Sequence, residues 1–158
     1  MAPGVVAKSR IRSLAVRLRR SGRRIVFTNG VFDILHRGHV DYLSQAKRLG
    51  DILIVGLNTD ASVRRLKGKS RPVQSQRDRA AVLLALRSVD FVVLFSEDTP
   101  AKLIEQVRPD VLVKGADYKL TEIVGSELVR SYGGRVKRIR LTPGRSTSAL
   151  VKKMGRRA

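Results

Sequence analysis

The 158-residue chain contains no cysteine. Disulfides and thiolate metal sites are therefore excluded, and a reducing compartment is compatible with the composition. Aromatic residues make up only 4% of the chain, which leaves few platforms for stacking nucleic-acid bases. No apolar run approaches the length of a membrane span. There is no GxxxxGKS/T, which rules out a P-loop enzyme. No GxGxxG follows the first apolar run, which argues against a dinucleotide cofactor. The nucleophile elbow of a Ser-His-Asp hydrolase is missing as well.

Acidic residues are also scarce. Lys and Arg number 33 against 13 Asp and Glu, a net charge of +20. Such a surface attracts polyanions: nucleic acid, anionic lipid, nucleotides or phosphorylated sugars. A solvated basic surface with no specific partner is the plainer alternative. No acidic residue precedes Asp33, whereas Lys8, Arg10, Arg12, Arg17, Arg19, Arg20, Arg23 and Arg24 are all basic. An Arg-rich, acid-free start fits an organelle transit peptide. The spacing of Ile11, Leu14, Ala15 and Leu18 favours a short helix packed on the domain instead. The apolar core of a secretory signal is missing. We therefore expect a basic helical extension over residues 1–23 and one domain over 24–158, with 42% hydrophobic residues to supply its core.

What is present is an alternation. Short β-branched apolar runs occur at Ile25–Thr28, Ile52–Leu57, Phe91–Phe95, Val111–Lys114 and Val136–Ile139. Helical periods lie between them, at Val40–Leu49, Gln76–Leu86, Thr99–Val107 and Thr121–Tyr132, with a last one from about Ser146 to Met154. The polar segment Leu66–Ser75, with Gly68 and Pro72, is expected to be a loop. Strands alternating with helices of this length predict an α/β fold: a Rossmann-like, doubly wound, five-stranded parallel sheet with helices on both faces. Ligands of such sheets bind outside the carboxyl ends of the strands, at the switch in strand order.

The first strand leads into IVFTNGVFDILHRGH, which holds both histidines of the chain. Asn29-Gly30 opens at the ligand edge, and His36-Arg37-Gly38-His39 begins a helix. Free N–H groups and the helix dipole make such a start an anion site. Imidazoles at i and i+3 share one face of the first turn, so both can donate to one phosphate. Gly38 removes a side chain where a phosphate or the preceding strand must come close. Zinc would need further ligands, and neither a third histidine nor any cysteine exists. A helix start carrying two surface histidines is the bland alternative. Asp33, three residues before His36, is suited to orienting the loop or a metal-bound water, but as a lone carboxylate it is not a general-base pair. In VLVKGADY, Lys114 sits at a strand's carboxyl end, where it can pair with a phosphate. Gly115 allows close backbone approach, and Asp117 can accept from sugar hydroxyls; a β-turn with a solvated lysine is the alternative. GRSTS precedes the last helix, so Ser146, Thr147 and Ser148 offer hydroxyls and N–H groups to phosphates, or simply cap the helix.

FTNGVFDILHRGH resembles the signature of the HxGH nucleotidyltransferase superfamily, the cytidylyltransferase-like group. GLNTDASVRRLKGKSRPV, QRDRAAVLLALRSVDFVV, FSEDTP, VLVKGADY and GRSTSALVKKM follow in the order of its heptose 1-phosphate adenylyltransferases, from about Arg24 onward. The resemblance implies catalytic roles for His36, His39 and Lys47, with Arg48 the neighbouring alternative to Lys47. It implies nucleotide contacts from Thr28, Asn29, Gly30, Phe32, Asp33, Gly38, Lys114, Gly115, Ser146, Thr147 and Ser148. Ser148 stands where the family has a threonine, which keeps a hydroxyl. Asn58, Asp60, Arg79, Asp117 and Tyr118 are implied on the substrate, although surface salt bridging is the bland alternative for Arg79.

The implied reaction moves AMP from ATP to a sugar 1-phosphate, giving ADP-heptose for the lipopolysaccharide core. Mg²⁺ is expected to arrive with ATP, since the chain offers no obvious all-protein cage. No kinase half accompanies these motifs, so the resemblance implies a stand-alone form served by a separate sugar kinase. A cytoplasmic homo-oligomer is expected, with no membrane or nucleic-acid partner. Two alternatives remain. One is a glycerol-3-phosphate cytidylyltransferase or another acceptor within the superfamily, disfavoured by KGADY and by Leu141 two residues before Pro143. The other is a basic nucleic-acid-binding module, disfavoured by the low aromatic content.

Overall fold

A computed structural model describes residues 3–140 and residue 147. Among these residues six strands form one parallel sheet. In chain order the elements are β1 (Gly4–Val5), α1 (Lys8–Arg20), β2 (Ile25–Gly30), α2 (Arg37–Lys47), β3 (Ile52–Asn58), α3 (Asp60–Lys67) and α4 (Gln76–Leu84). These are followed by β4 (Phe91–Phe95), α5 (Ala101–Val107), β5 (Val111–Gly115), α6 (Ser126–Ser131) and β6 (Arg135–Ile139).

The spatial order is β1-β4-β3-β2-β5-β6. Strand β2 pairs with β3 on one side and β5 on the other, so the order reverses across the β2–β5 seam. The strands are nearly continuous runs of buried apolar residues because helices cover both faces. Alternate side chains enter opposite layers. Phe27, Ile54, Val93 and Leu112 pack with Ile11 and Leu14 of α1, Ile104 of α5 and Val129 of α6. Val26, Leu53, Val55 and Val113 pack on the other face with Leu43 of α2 and Leu83 of α4.

The Ile11, Leu14, Ala15 and Leu18 stripe is buried along α1, as its period predicts. Three details differ from the expected elements. Strand β1 is a sixth strand; at two residues it is too short to carry a period, and it forms by pairing with β4. Helix α3 occupies the start of the expected loop, with Thr59 accepting from the Ser62 amide at its N-cap and Val63 buried beneath. The single helix expected over 121–132 is split into a 3-10 turn at Leu120–Glu122 and α6, with Gly125 between them at φ 84°. An added Cβ at Gly125 would sit 2.8 Å from Ile104, so the break needs glycine on two counts. Of the last expected helix only Thr147 is described, and it is helical; the rest of 146–154, including Ser146 and Ser148, lies outside the described residues.

Candidate active site

At the carboxyl end of the β2–β5 seam opens a cavity of about 840 Å³. Strand β2 delivers Asn29 and Gly30 to its floor, and β5 delivers Lys114. The connection after β2 folds back so that α2 begins at the rim. His36 is the extended N-cap residue (φ −141°, ψ 170°), and the His39 amide donates to the His36 carbonyl at 2.9 Å. The two imidazoles stack with centroids 3.9 Å apart and planes 24° from parallel.

Phe32 holds this pair from the side, its ring edge-on to His39 at 5.2 Å. To reach that position Phe32 adopts a left-handed backbone, φ 45°, unusual for a bulky residue. Gly30 makes room, since an added Cβ would lie 3.0 Å from the Phe32 ring. Burial, and then the neighbouring His36, push the His39 pKa down to about 4. His39 is therefore neutral near pH 7, and its buried Nδ1 has no hydrogen-bond partner among the described residues. An arriving phosphate reverses that balance, because an anion favours the charged imidazole.

On the β5 wall, the Lys114 ammonium donates to the Asn29 carbonyl at 3.3 Å and sits 5.4 Å above the Tyr118 ring. Burial lowers its pKa to about 8, partly offset by Asp117. Asp117 and Tyr118 line the cavity beside it. Thr147 also reaches the cavity, with its hydroxyl donating to the Ile34 carbonyl at 3.3 Å. Asn58 lines the β3 side, its amide donating to Ser62 Oγ at 3.0 Å. Gly38 is buried at the cavity surface in the first turn of α2.

Asp33 anchors the loop rather than presenting a free carboxylate. It is 2% exposed and accepts from Arg71 Nε at 2.6 Å and from the amides of Val73 and Gln74 at 2.9 and 3.0 Å. Burial alone would raise its pKa. The Gln74 and Val73 amides and the Arg71 guanidinium outweigh burial and hold the carboxyl below its usual range. The result places Arg71 in the cavity with neither Nη group hydrogen-bonded among the described residues. Arg71, and Lys67 at the end of α3, were missed in the sequence, where LKGKSRPVQS reads as a solvated loop. The signal that would have found Arg71 is the pairing with Asp33, which lies 38 positions away.

Five expected site residues are placed elsewhere. The Thr28 hydroxyl is fully buried against Tyr42 Oη at 2.8 Å, behind the cavity floor. Lys47 lies on the last turn of α2 and is bound to Asp90 and the Asp51 carbonyl, because α2 runs away from the cavity. Arg79 has no exposed surface. It donates to Asp60 Oδ1 at 2.6 Å and to the carbonyls of Val31, Asn58 and Gln74, so it and Asp60 brace the loops under the cavity. Gly115 is buried at the end of β5, where its carbonyl accepts from the Tyr118 amide.

A sequence family described as cytidylyltransferase-like matches residues 27–152. The Bifunctional protein HldE of Wolinella succinogenes is 58% identical over 150 residues, covering 95% of this chain and 31% of that protein. Its counterpart from Pseudomonas aeruginosa is 58% identical over 139 residues, covering 88% and 29%. The chain thus spans about three-tenths of the length of these curated relatives. Among solved structures, a lipopolysaccharide core biosynthesis protein from Thermoplasma volcanium matches with TM-score 0.61 and 36% identity, over 77% of this chain and 98% of that one. Pantoate-beta-alanine ligase from Francisella tularensis shares the fold at TM-score 0.65 and 15% identity, over 96% and 73%.

Proposed function

The chain belongs to the cytidylyltransferase-like family, and from that premise we propose that it transfers AMP from ATP to heptose 1-phosphate, releasing pyrophosphate and ADP-heptose for lipopolysaccharide core synthesis. The observation that carries this reading is the stacked pair of imidazoles at the start of α2, facing a crevice at the strand-order switch. An oxygen of the sugar phosphate attacks the α-phosphorus in line. A bond forms between them, the bond from the α-phosphorus to the bridging oxygen breaks, and pyrophosphate carries the electron pair away. The nucleophile is already anionic at neutral pH, so alignment and charge neutralisation carry the catalysis.

His36 and His39 donate to the oxygens of the reacting phosphates, and the first turn of α2 adds its free N–H groups. Lys114, on the β5 wall with Thr147, neutralises the triphosphate. Asn29, Gly30, Phe32 and Gly38 shape the floor beneath it, and Ser146 and Ser148 extend the Thr147 contact. Arg71 and Asn58, on the facing wall, take the acceptor. Asp117 and Tyr118 close around the sugar or the ribose. The described residues hold no group of three or more His, Asp or Glu able to cage a metal. Mg²⁺ enters the proposal with ATP, where it would supply charge neutralisation on the triphosphate oxygens.

The heptose reading rests on motif order together with the lipopolysaccharide core protein of similar sequence and fold. No described helix is long and apolar enough to cross a membrane, and we place the reaction in the cytoplasm, where ATP is plentiful. A homo-oligomer and a sugar kinase activity that supplies the heptose 1-phosphate complete the proposal. The test is pyrophosphate release with ATP or CTP against a panel of acceptors. ATP with heptose 1-phosphate is expected to be the fastest pair. Activity confined to CTP and glycerol 3-phosphate would move the protein to the other branch of its family.

A further inference from the structure

The amino-terminal end of the β2–β5 seam holds a second cleft, of about 300 Å³. Arg19, Arg24, Arg108 and Arg135 converge on it from α1, the start of β2, the end of α5 and the start of β6. Among the described residues none of these four guanidinium groups forms an ion pair. The wall holds one carboxylate, Asp110, whose Oδ2 accepts from the Ile25 amide at 2.7 Å, so four guanidinium groups face a single negative charge.

Two of the arginines are held in place by the fold. Arg19 Nη1 donates to the carbonyls of Val107 and Arg108 at 2.8 and 3.0 Å. The Arg108 guanidinium lies 4.7 Å above the Tyr132 ring, and Tyr132 is itself pinned by its hydroxyl to the Pro109 carbonyl at 3.1 Å. Four like charges gathered in a concave wall repel one another, and an anion among them relieves that repulsion. Planar guanidinium forks match phosphate oxygens better than they match spherical anions.

We propose that this cleft is a second anion site, remote from the transfer cavity, that takes a phosphate-bearing ligand of about diphosphate size. Two sources share that chemistry: a free small phosphate and the backbone of a polynucleotide. The concave wall and the Tyr132 ring already covered by Arg108 favour the small anion, because no base platform is left open.

Isothermal titration of the full chain with inorganic pyrophosphate at physiological salt tests this, comparing wild type with the Arg24→Ala/Arg135→Ala variant. Neither residue has been placed in the transfer machinery. Wild type is expected to show one more site than the double variant, and the remaining binding should be unchanged. The site is defined by that difference, so failure of the transferase reading leaves the test intact. Equal stoichiometry and affinity in the two proteins would overturn the proposal. A labelled single-stranded oligonucleotide is titrated in parallel. Loss of its binding in the double variant, with pyrophosphate binding unaltered, would assign the cleft to a polynucleotide and overturn the small-anion site. If circular dichroism shows the double variant unfolded, Arg135→Gln alone should weaken the second site about tenfold, and an unchanged affinity there would also overturn the proposal.

Discussion

The two ends of the β2–β5 seam hold positive charge in different ways. At the carboxyl end, potential cations are restrained. His39 is kept neutral by burial, the Lys114 pKa is lowered to about 8, and Arg71 is tied through Nε to a buried Asp33. At the amino end, four arginines share a cleft with the single carboxylate Asp110, and none of them forms an ion pair among the described residues. The first arrangement would gain charge when an anion arrives, which under the proposed transfer suits a group needed more in the transition state than before it. The second is a fixed field that attracts anions whether or not anything reacts. A net charge of +20 cannot distinguish the two; burial and partners do.

The contrast breaks most sharply at the histidines. His36→Ala or His39→Ala is expected to lower kcat on the order of 10²–10³-fold with an intact fold, the scale for losing one preorganised donor. Steady-state kinetics with circular dichroism checks both halves of that statement. Next in size is the Asp33 anchor. Asp33→Ala leaves the Val73 and Gln74 amides and Arg71 without their acceptor, for a stability loss of roughly 1–3 kcal/mol or more. Urea unfolding should show that loss. Arg71→Ala spares the anchor's other bonds, so it should raise KM for the sugar phosphate more than KM for ATP.

The restrained groups also predict pH behaviour. The folded pKa of His39, about 4, lies below its ordinary value of 6.5. The unfolded chain therefore binds more protons between those values, and stability falls as pH drops from 6.5 to 4. The same scan on His39→Gln should show a shallower decline over that window. Lys114 loses its charge above about pH 8, so ATP affinity should weaken from pH 7 to 9 and improve again on return. The smallest effect belongs to the amino end, where Arg24→Ala/Arg135→Ala should leave turnover unchanged. A drop comparable to that of the histidine variants would mean the two ends are not independent.

Much of this arrangement was legible in the chain. The apolar runs and helical periods locate the sheet, and HRGH after a strand locates the helix start at the cavity rim. The α1 stripe separates a packed helix from a free basic tail. The remainder depends on contacts that local patterns do not encode. Strand β1 exists only because β4 offers it an edge. The resemblance implies catalytic or substrate contacts for Lys47 and Arg79, yet Asp90 and Asp60, distant in sequence, claim them here. Arg71 looks like one more loop cation until Asp33 is seen beneath it. The arginine cleft draws on positions 19, 24, 108 and 135, which no spacing rule connects.

The most direct test of the central claim compares pyrophosphate release from ATP and heptose 1-phosphate by wild type, His36→Ala and His39→Ala at saturating substrate. Rapid release by wild type, with each variant slowed on the order of 10²–10³-fold and still able to bind ATP, is the predicted result. Near-normal turnover in both variants would contradict the assignment of the paired imidazoles to the transferring phosphate.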